Sequence, residues 1–338
     1  MKKIVALLLI ASAFSCKNAQ SVASKDNSDP TRYVKIIKEK DLKTMLYVVA
    51  SDEMEGRETG SKGQKKAGLY MIEQYKKNGV SFPKGATDYY QHIPAAFLNA
   101  RRNENLPDSE NIWAYIEGSE KPDEVLVISA HYDHVGIKNG EIYNGADDDG
   151  SGTVALLEMA KAFAKAKKDG HGPKRSILFL HVTGEEHGLH GSRYYSENPL
   201  FPIANTIADI NIDMIGRRDV EHGKTNNYVY VIGADRLSSD LHNIVVAQNE
   251  KHTKVDLDFK FNDPKDPNHF YERSDHYNFA KHGIPAVFFF NGVHEDYHGK
   301  DDIAEKIEYD ALTKRTKLAF VVAWELANRD NRPVVDKK

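Results

Sequence analysis

The sequence predicts an α/β fold: a single domain with a mixed, mostly parallel central sheet flanked by helices on both faces. Three observations carry this expectation. Apolar-rich runs at residues 125–130, 176–182, 206–213, 228–232 and 285–290 have the character of strands buried on both faces. Helical stretches at residues 152–165, 237–250 and 309–327 alternate with them, as in sheets whose crossovers cover both sides. Ionisable residues collect just past the strand ends, where open α/β sheets place their sites.

The chain opens with a targeting segment. Lys2 and Lys3 precede an apolar run at residues 4–14, which at roughly eleven residues is too short to span a bilayer. The single cysteine, Cys16, follows Ala13-Phe14-Ser15. That arrangement resembles a bacterial lipoprotein cleavage box, with Ala13 where leucine is usual; ordinary signal-peptidase cleavage near Ala13 or Ala19 is the alternative. Residues 1–16 therefore read as a signal peptide and residues 17–30, polar and aperiodic, as a flexible tether. The expected location is the periplasm or, through a lipid on Cys16, a membrane, including the outer membrane or cell surface. With one cysteine the exported chain has no internal disulfide, so the core and any bound metal must stabilise it.

Residues 31–338 read as one domain. Val34, Ile37, Leu42, Met45, Leu46 and Val49 recur at helical spacing and predict one or two helices over residues 34–50. Residues 51–60 read as a loop. Ser61 can cap a helix through Lys77 that buries Ala67, Leu69, Met71, Ile72 and Tyr75. The interval from Gly63 to His131 is too short for a further domain beside its own helix and strands. With a net charge of −4 and no basic stripe, nothing argues for nucleic acid as a partner.

The chemistry concentrates in Gly145-Ala146-Asp147-Asp148-Asp149-Gly150-Ser151-Gly152. Three successive carboxylates cost several kcal/mol in repulsion and desolvation when buried without a counter-charge, on the order of the usual penalty for unpaired buried charge. A divalent cation compensates simply; a solvated acidic turn or a calcium loop is the plainer alternative. His131-Tyr132-Asp133-His134 lies shortly upstream, and Glu185-Glu186, Asp213 and residues 296–301 also fall at strand ends. None forms a compact metal signature, so the fold would have to assemble them.

These segments resemble peptidase family M28, the zinc metallopeptidases that include bacterial aminopeptidases. The resemblance rests on His131-x-Asp133, the acidic run with Ser151-Gly152, Glu185-Glu186-x-Gly188-Leu189-x-Gly191-Ser192, Asp213-Met214-Ile215-Gly216, Ser274-Asp275-His276 and His298, with Glu55-Gly56-Arg57 upstream. It runs from about Ser51 to the C-terminus and implies the zinc-exopeptidase, phosphorylase/hydrolase-like form of the fold. It further implies two zinc ions per chain. His131 and Asp213 would hold one, Glu186 and His298 the other, and Asp147 would bridge both. Glu185 would be the general base, Asp133 would orient the His131 imidazole, and Tyr271, three residues before Ser274, would hydrogen-bond the oxyanion. Asp148 and Asp149 then read as shaping the turn, and Asp275 and His276 as fixing the loop of Tyr271. His134, His187, His190 and His294 read as supporting or surface residues, with His294 the fallback for the last ligand. His181 and the run Phe288-Phe289-Phe290 read as core.

The function implied is an exported exopeptidase acting on peptides, foremost an aminopeptidase. A carboxypeptidase is the near alternative. A glutaminyl cyclase would need one metal rather than this full set, and a non-catalytic binding module would not need Glu185 beside five ligands. The oligomeric state is left open.

Overall fold

The computed structural model describes residues 29–102 and 104–337. The leader, Cys16 and the tether up to residue 28 lie outside the described residues.

Two helices, α1 (Thr31–Val34) and α2 (Glu39–Val49), occupy the first periodic segment. The buried residues of α2 are Leu42, Met45, Leu46 and Val49, one face at three- and four-residue steps. Helix α3 (Lys62–Lys77) starts at Ser61, whose Oγ accepts from the Gln64 amide at 3.2 Å. It buries Ala67, Met71, Ile72 and Tyr75, but Leu69 is 57% exposed. Two residues past Ala67 is about 200° around a helix, so Leu69 cannot share that face.

The chain then forms β1 (Tyr90–Ile93), the short helix α4 (Ala95–Leu98), β2 (Ser109–Ile116) and β3 (Lys121–His131). A small hairpin of β4 (Gly136–Lys138) and β5 (Glu141–Tyr143) leads to the acidic turn and α5 (Gly152–Lys168). There follow β6 (Arg175–Val182), α6 (His190–Glu197), β7 (Thr206–Ile212), β8 (Tyr228–Ile232), α7 (Ser239–His252), β9 (Asp256–Asp258), α8 (His276–Ala280), β10 (Ala286–Phe290) and α9 (Tyr309–Asn328).

Eight strands form one sheet in the order β1-β2-β6-β3-β7-β10-β8-β9. Strands β6, β3, β7 and β10 run parallel at its centre. Antiparallel pairings attach β2 to β6, β1 to β2, and β8 to β10, which makes the sheet mixed but parallel where it matters for the site. The edge strand β1 and its neighbour β2 occupy the interval that the sequence left without assigned strands.

Side-chain alternation divides the core. Leu126, Ile128 and Ala130 of β3, with Val287 and Phe289 of β10, face the large cluster beneath α2, α3, α5, α7 and α9. Val125 and Val127 turn the other way, toward Tyr195 of α6 and Phe279 of α8. Phe288 and Phe290 join Met214, Tyr228, Tyr230 and Phe270 in an aromatic cluster on that same second side. Helices therefore cover both faces, and the four central strands deliver their C-terminal ends to one edge. No helix among the described residues is long and apolar enough to cross a membrane.

Candidate active site

His131 is the last residue of β3. Its Nδ1 lies 3.0 Å from the main-chain carbonyl of Asp133, which sets the ring so that Nε2 faces two carboxylates, Asp148 Oδ1 at 3.1 Å and Asp213 Oδ1 at 3.5 Å. Asp213 follows β7, and its Oδ2 accepts from Ser274 Oγ at 2.6 Å. Ser274 accepts in turn from Asn211 Nδ2 at 2.7 Å. Glu186 follows β6. Its Oε2 lies 3.1 Å from His298 Nε2 and its Oε1 2.7 Å from His134 Nδ1. His298 Nε2 is also 3.1 Å from Asp148 Oδ2. His131, Asp213, Glu186 and His298, the four that the family resemblance names beside Asp147, thus converge.

The acidic residue at the centre is Asp148, not Asp147. The two oxygens of Asp148 face His131 on one side and His298 on the other. Asp147 is turned away from that centre: its Oδ1 accepts from the Gly216 amide at 2.6 Å, and its Oδ2, without a hydrogen bond among the described residues, lies 3.2 Å from His294 Nε2. Asp149 Oδ1 accepts from the amides of Gly152 and Met214, at 2.8 and 3.1 Å. The Asp302 carboxylate accepts from the amides of Asp147 and Asp148 at 3.0 and 3.1 Å and so anchors the turn. The backbone leaves helical geometry at Asp148 (φ −103°, ψ 98°) and Asp149 (φ −115°, ψ 52°), so neither the helical nor the strand period applies here. Gly145, at φ 54°, admits the turn: a Cβ there would meet Asp148 O at 2.2 Å and the His134 ring at 2.4 Å.

Two supporting assignments change as well. The carboxylate of Asp133 is 3.8 Å from His131 Nδ1, and it is the main-chain carbonyl that holds the imidazole. The carboxylate instead accepts from the Glu185 amide at 3.2 Å and from Thr59 Oγ1 at 3.0 Å. It therefore positions the turn that carries Glu185. Tyr271 packs beside Gly233 with the Arg236 guanidinium 4.6 Å from its ring, and it does not line the cavity in front of the carboxylates. Tyr297 does, along with Asp148, Glu185 and Asp213, and its ring stacks on His298 at 3.9 Å. The aromatic neighbour of a candidate ligand was the sequence signal for it. Glu185 and Glu186 both reach the site because the chain turns there, with Gly184 at φ 66° and Gly188 at φ 111°.

Arg57 is the countercharge that sequence reasoning passed over. It is fully buried and donates to the carbonyls of Tyr132, Val49, Asn144 and Gly145 at 2.6–2.9 Å. One guanidinium thereby ties together the segments of α2, His131 and the acidic turn.

The ionisation pattern is that of crowded carboxylates. Burial opposes ionisation of Asp148, but the imidazoles of His131 and His298 override it and hold the carboxyl well below its usual range. Burial and the Asp148 charge push Glu186 up, and His134 and His298 outweigh them, bringing it to about 2. Burial works against a charged His298, yet Asp148 and Glu186 raise it to about 10. Glu185 is raised well above the carboxylate range, chiefly by burial.

Asp148 Oδ2, Glu186 Oε1 and both ring nitrogens of His134 are buried with no hydrogen-bond partner among the described residues. Candidate ligand atoms of His131, Asp148 and Asp213 lie within 4.8 Å of one another, and so do those of His134, Asp148 and Glu186. Buried, orphaned nitrogen and oxygen donors converging from two sides fit a divalent cation, and imidazole with carboxylate suits zinc rather than calcium.

The fold and site together define a metallopeptidase-type α/β protein. The family model described as "Peptidase family M28" matches residues 111–323. A probable zinc metalloprotease of Pyrenophora tritici-repentis is 26% identical over 66% of this chain and 52% of its own length. A probable leucine aminopeptidase of Trichophyton verrucosum is 30% identical over 64% of this chain and 57% of its own. The chain spans about half the length of the curated relatives it matches. Among solved structures, an aminopeptidase from Aneurinibacillus sp. strain AM-1 superposes with a TM-score of 0.66 at 16% identity, covering 92% of this chain and 98% of that one. A Porphyromonas gingivalis glutaminyl cyclase does so with 0.62 at 18%, covering 86% and 98%. At such identities these two likenesses concern the fold. The chain belongs to peptidase family M28.

Proposed function

We propose that this chain is an exported aminopeptidase that hydrolyses peptides, and that His131, Asp148, Asp213, Glu186 and His298 would hold two zinc ions. The observation that carries the reading is the placing of Asp148, whose oxygens face His131 with Asp213 on one side and His298 with Glu186 on the other. Zinc bound in these two sets supplies Lewis acidity toward water and the scissile carbonyl. Glu185 then takes the proton of the attacking water and delivers it to the leaving amine. Asp133 holds the Glu185 amide and so the base. The hydroxyl of Tyr297 replaces that of Tyr271 as donor to the oxyanion, because Tyr297 lines the cavity.

The cavity continues from the carboxylates into Met214, Phe270, Phe288, Phe290 and Val293. That wall favours an apolar side chain on the residue before the scissile bond, and the carboxylates favour a free amino terminus. Export follows from the leader, with a lipid on Cys16 as the anchor; incorporation of labelled palmitate, lost in C16S, tests it. Activity is tested with aminoacyl-p-nitroanilides beside N-blocked peptides. Hydrolysis of leucyl or phenylalanyl anilide is expected; cleavage confined to blocked peptides would overturn the aminopeptidase reading. Cyclisation of N-terminal glutamine without hydrolysis would point to the glutaminyl cyclase alternative that the shared fold raises.

A further inference from the structure

His134 is fully buried, three residues beyond His131, with its ring pressed against Gly145. Its Nδ1 stands 2.7 Å from Glu186 Oε1 and 3.8 Å from Asp148 Oδ2. At 2.7 Å an imidazole N–H and a carboxylate should form a strong hydrogen bond. Neither Nδ1 nor Oε1 makes one among the described residues, so the two atoms are close but not aligned along the N–H direction. An imidazole that merely positioned Glu186 would aim its N–H at the oxygen. Atoms that crowd together without pointing at each other are free to face a common third point, and here a third candidate donor, Asp148, stands beside them. The candidate donor atoms of His134, Asp148 and Glu186 all lie within 4.8 Å of one another.

We propose that His134 is a fourth protein ligand of the metal position formed by Asp148, Glu186 and His298, which makes the two metal positions unequal. The proposal rests on the two-zinc reading above. The position with His134 then has four protein donors, as structural zinc sites do, whereas the position of His131, Asp148 and Asp213 has three and stays open. The four-donor position fills first and holds its ion longer. His298, at 42% side-chain exposure, is its outer ligand and His134, at 0%, its inner one.

The test is metal titration of the stripped full chain, followed by calorimetry and by the visible absorption of bound Co2+, which reports coordination number. The wild type is expected to take two ions with separable affinities. In both H134A and H134Q the dissociation constant of the first ion should rise by more than about 100-fold, beyond the range for losing an outer hydrogen-bonding partner. The Co2+ spectrum of that ion should change, while H131A should chiefly weaken the other ion. H134Q preserves the bulk beside Gly145 and guards against a packing artefact in H134A. An unchanged first affinity and spectrum in H134Q would overturn the proposal, and so would a loss of tenfold or less. If the wild type takes only one ion, the two-zinc reading fails, and the same comparison on that ion still decides the role of His134.

Discussion

Two regions of this molecule bury charge, at opposite ends of the same strands, and they do so in opposite ways. At the start of β6, Arg175 is fully buried and every nitrogen of its guanidinium donates a hydrogen bond. Nε donates to Glu124 at 2.5 Å, and the terminal nitrogens donate to the carbonyls of Leu326 at 3.1 Å, of Asp330 at 2.9 Å, and of Arg329. At the far end, past β3, β6 and β7, Asp148, Glu186, Asp213 and Glu185 crowd one another, and buried oxygens and ring nitrogens lack hydrogen bonds among the described residues. The first arrangement is complete within the protein and clamps the end of α9 to the sheet. The second is completed only by something the protein binds. Buried charge with a partner on every nitrogen is architecture; crowded buried carboxylates and imidazoles with orphaned atoms are a binding site.

Mutations at the two ends should therefore separate function from stability. The largest effect is expected from Glu185→Gln, which should lower turnover by about 10²- to 10⁴-fold, the span that general acid–base catalysis supplies, while metal content measured by atomic absorption stays at the wild-type level. Retained activity would remove Glu185 from the base role. Next, Asp148→Asn should weaken every bound metal at once. Asp147→Asn, acting through Gly216 and His294, should cost only about 10- to 100-fold, the usual effect of an outer partner. Equilibrium dialysis of the two variants compares them directly, and the reverse order would restore Asp147 as the bridge.

Arg175→Met should leave metal affinity and KM intact and lower stability in urea by about 3 kcal/mol, the lower end for breaking a buried charged pair. Loss of metal affinity in this variant would show that the two ends are not independent. The effect that vanishes at neutral pH concerns the C-terminal end of β6. His181 is buried against Tyr75, whose hydroxyl lies 2.6 Å from Nε2, and burial depresses its pKa from 6.5 to about 3. The unfolded chain takes up a proton that the folded chain refuses. His181 therefore has no effect on stability above pH 6.5, and stability falls as the pH drops from 6.5 toward 3, by about 1.4 kcal/mol per unit at most. His181→Asn should flatten that portion of the pH–stability curve measured by denaturant titration; an unchanged slope would mean that the histidine is charged in the fold.

Much of the architecture was legible because regular elements impose periods on sequence. Strands buried on both faces are mostly apolar, so β3, β6, β8 and β10 announce themselves, and β7 keeps enough apolar residues to be read although Asp209 and Asn211 are buried in it. The positions of His131, Glu186 and Asp213 just past those strands follow directly. Leu69 was misplaced because apolar residues two apart on a helix lie on different faces. Strands β1 and β2 escaped because the polar Ser109, Glu110 and Asn111 interrupt the apolar pattern although all are buried; Asn111 is held by Gln91 and the Gly191 carbonyl.

By itself the sequence determined the α/β class, the edge of the sheet where the chemistry sits and the types of side chain brought there, since these depend on hydrophobic period and chain order. Only the tertiary structure decided which aspartate faces the centre, which tyrosine lines the cavity, and that His134 lies beside Glu186. Those residues sit in turns, where no period relates one side chain to the next. Their directions are set by contacts from distant segments: Asp302 on the turn amides, Gly216 on Asp147, and Gly145 beneath the His134 ring.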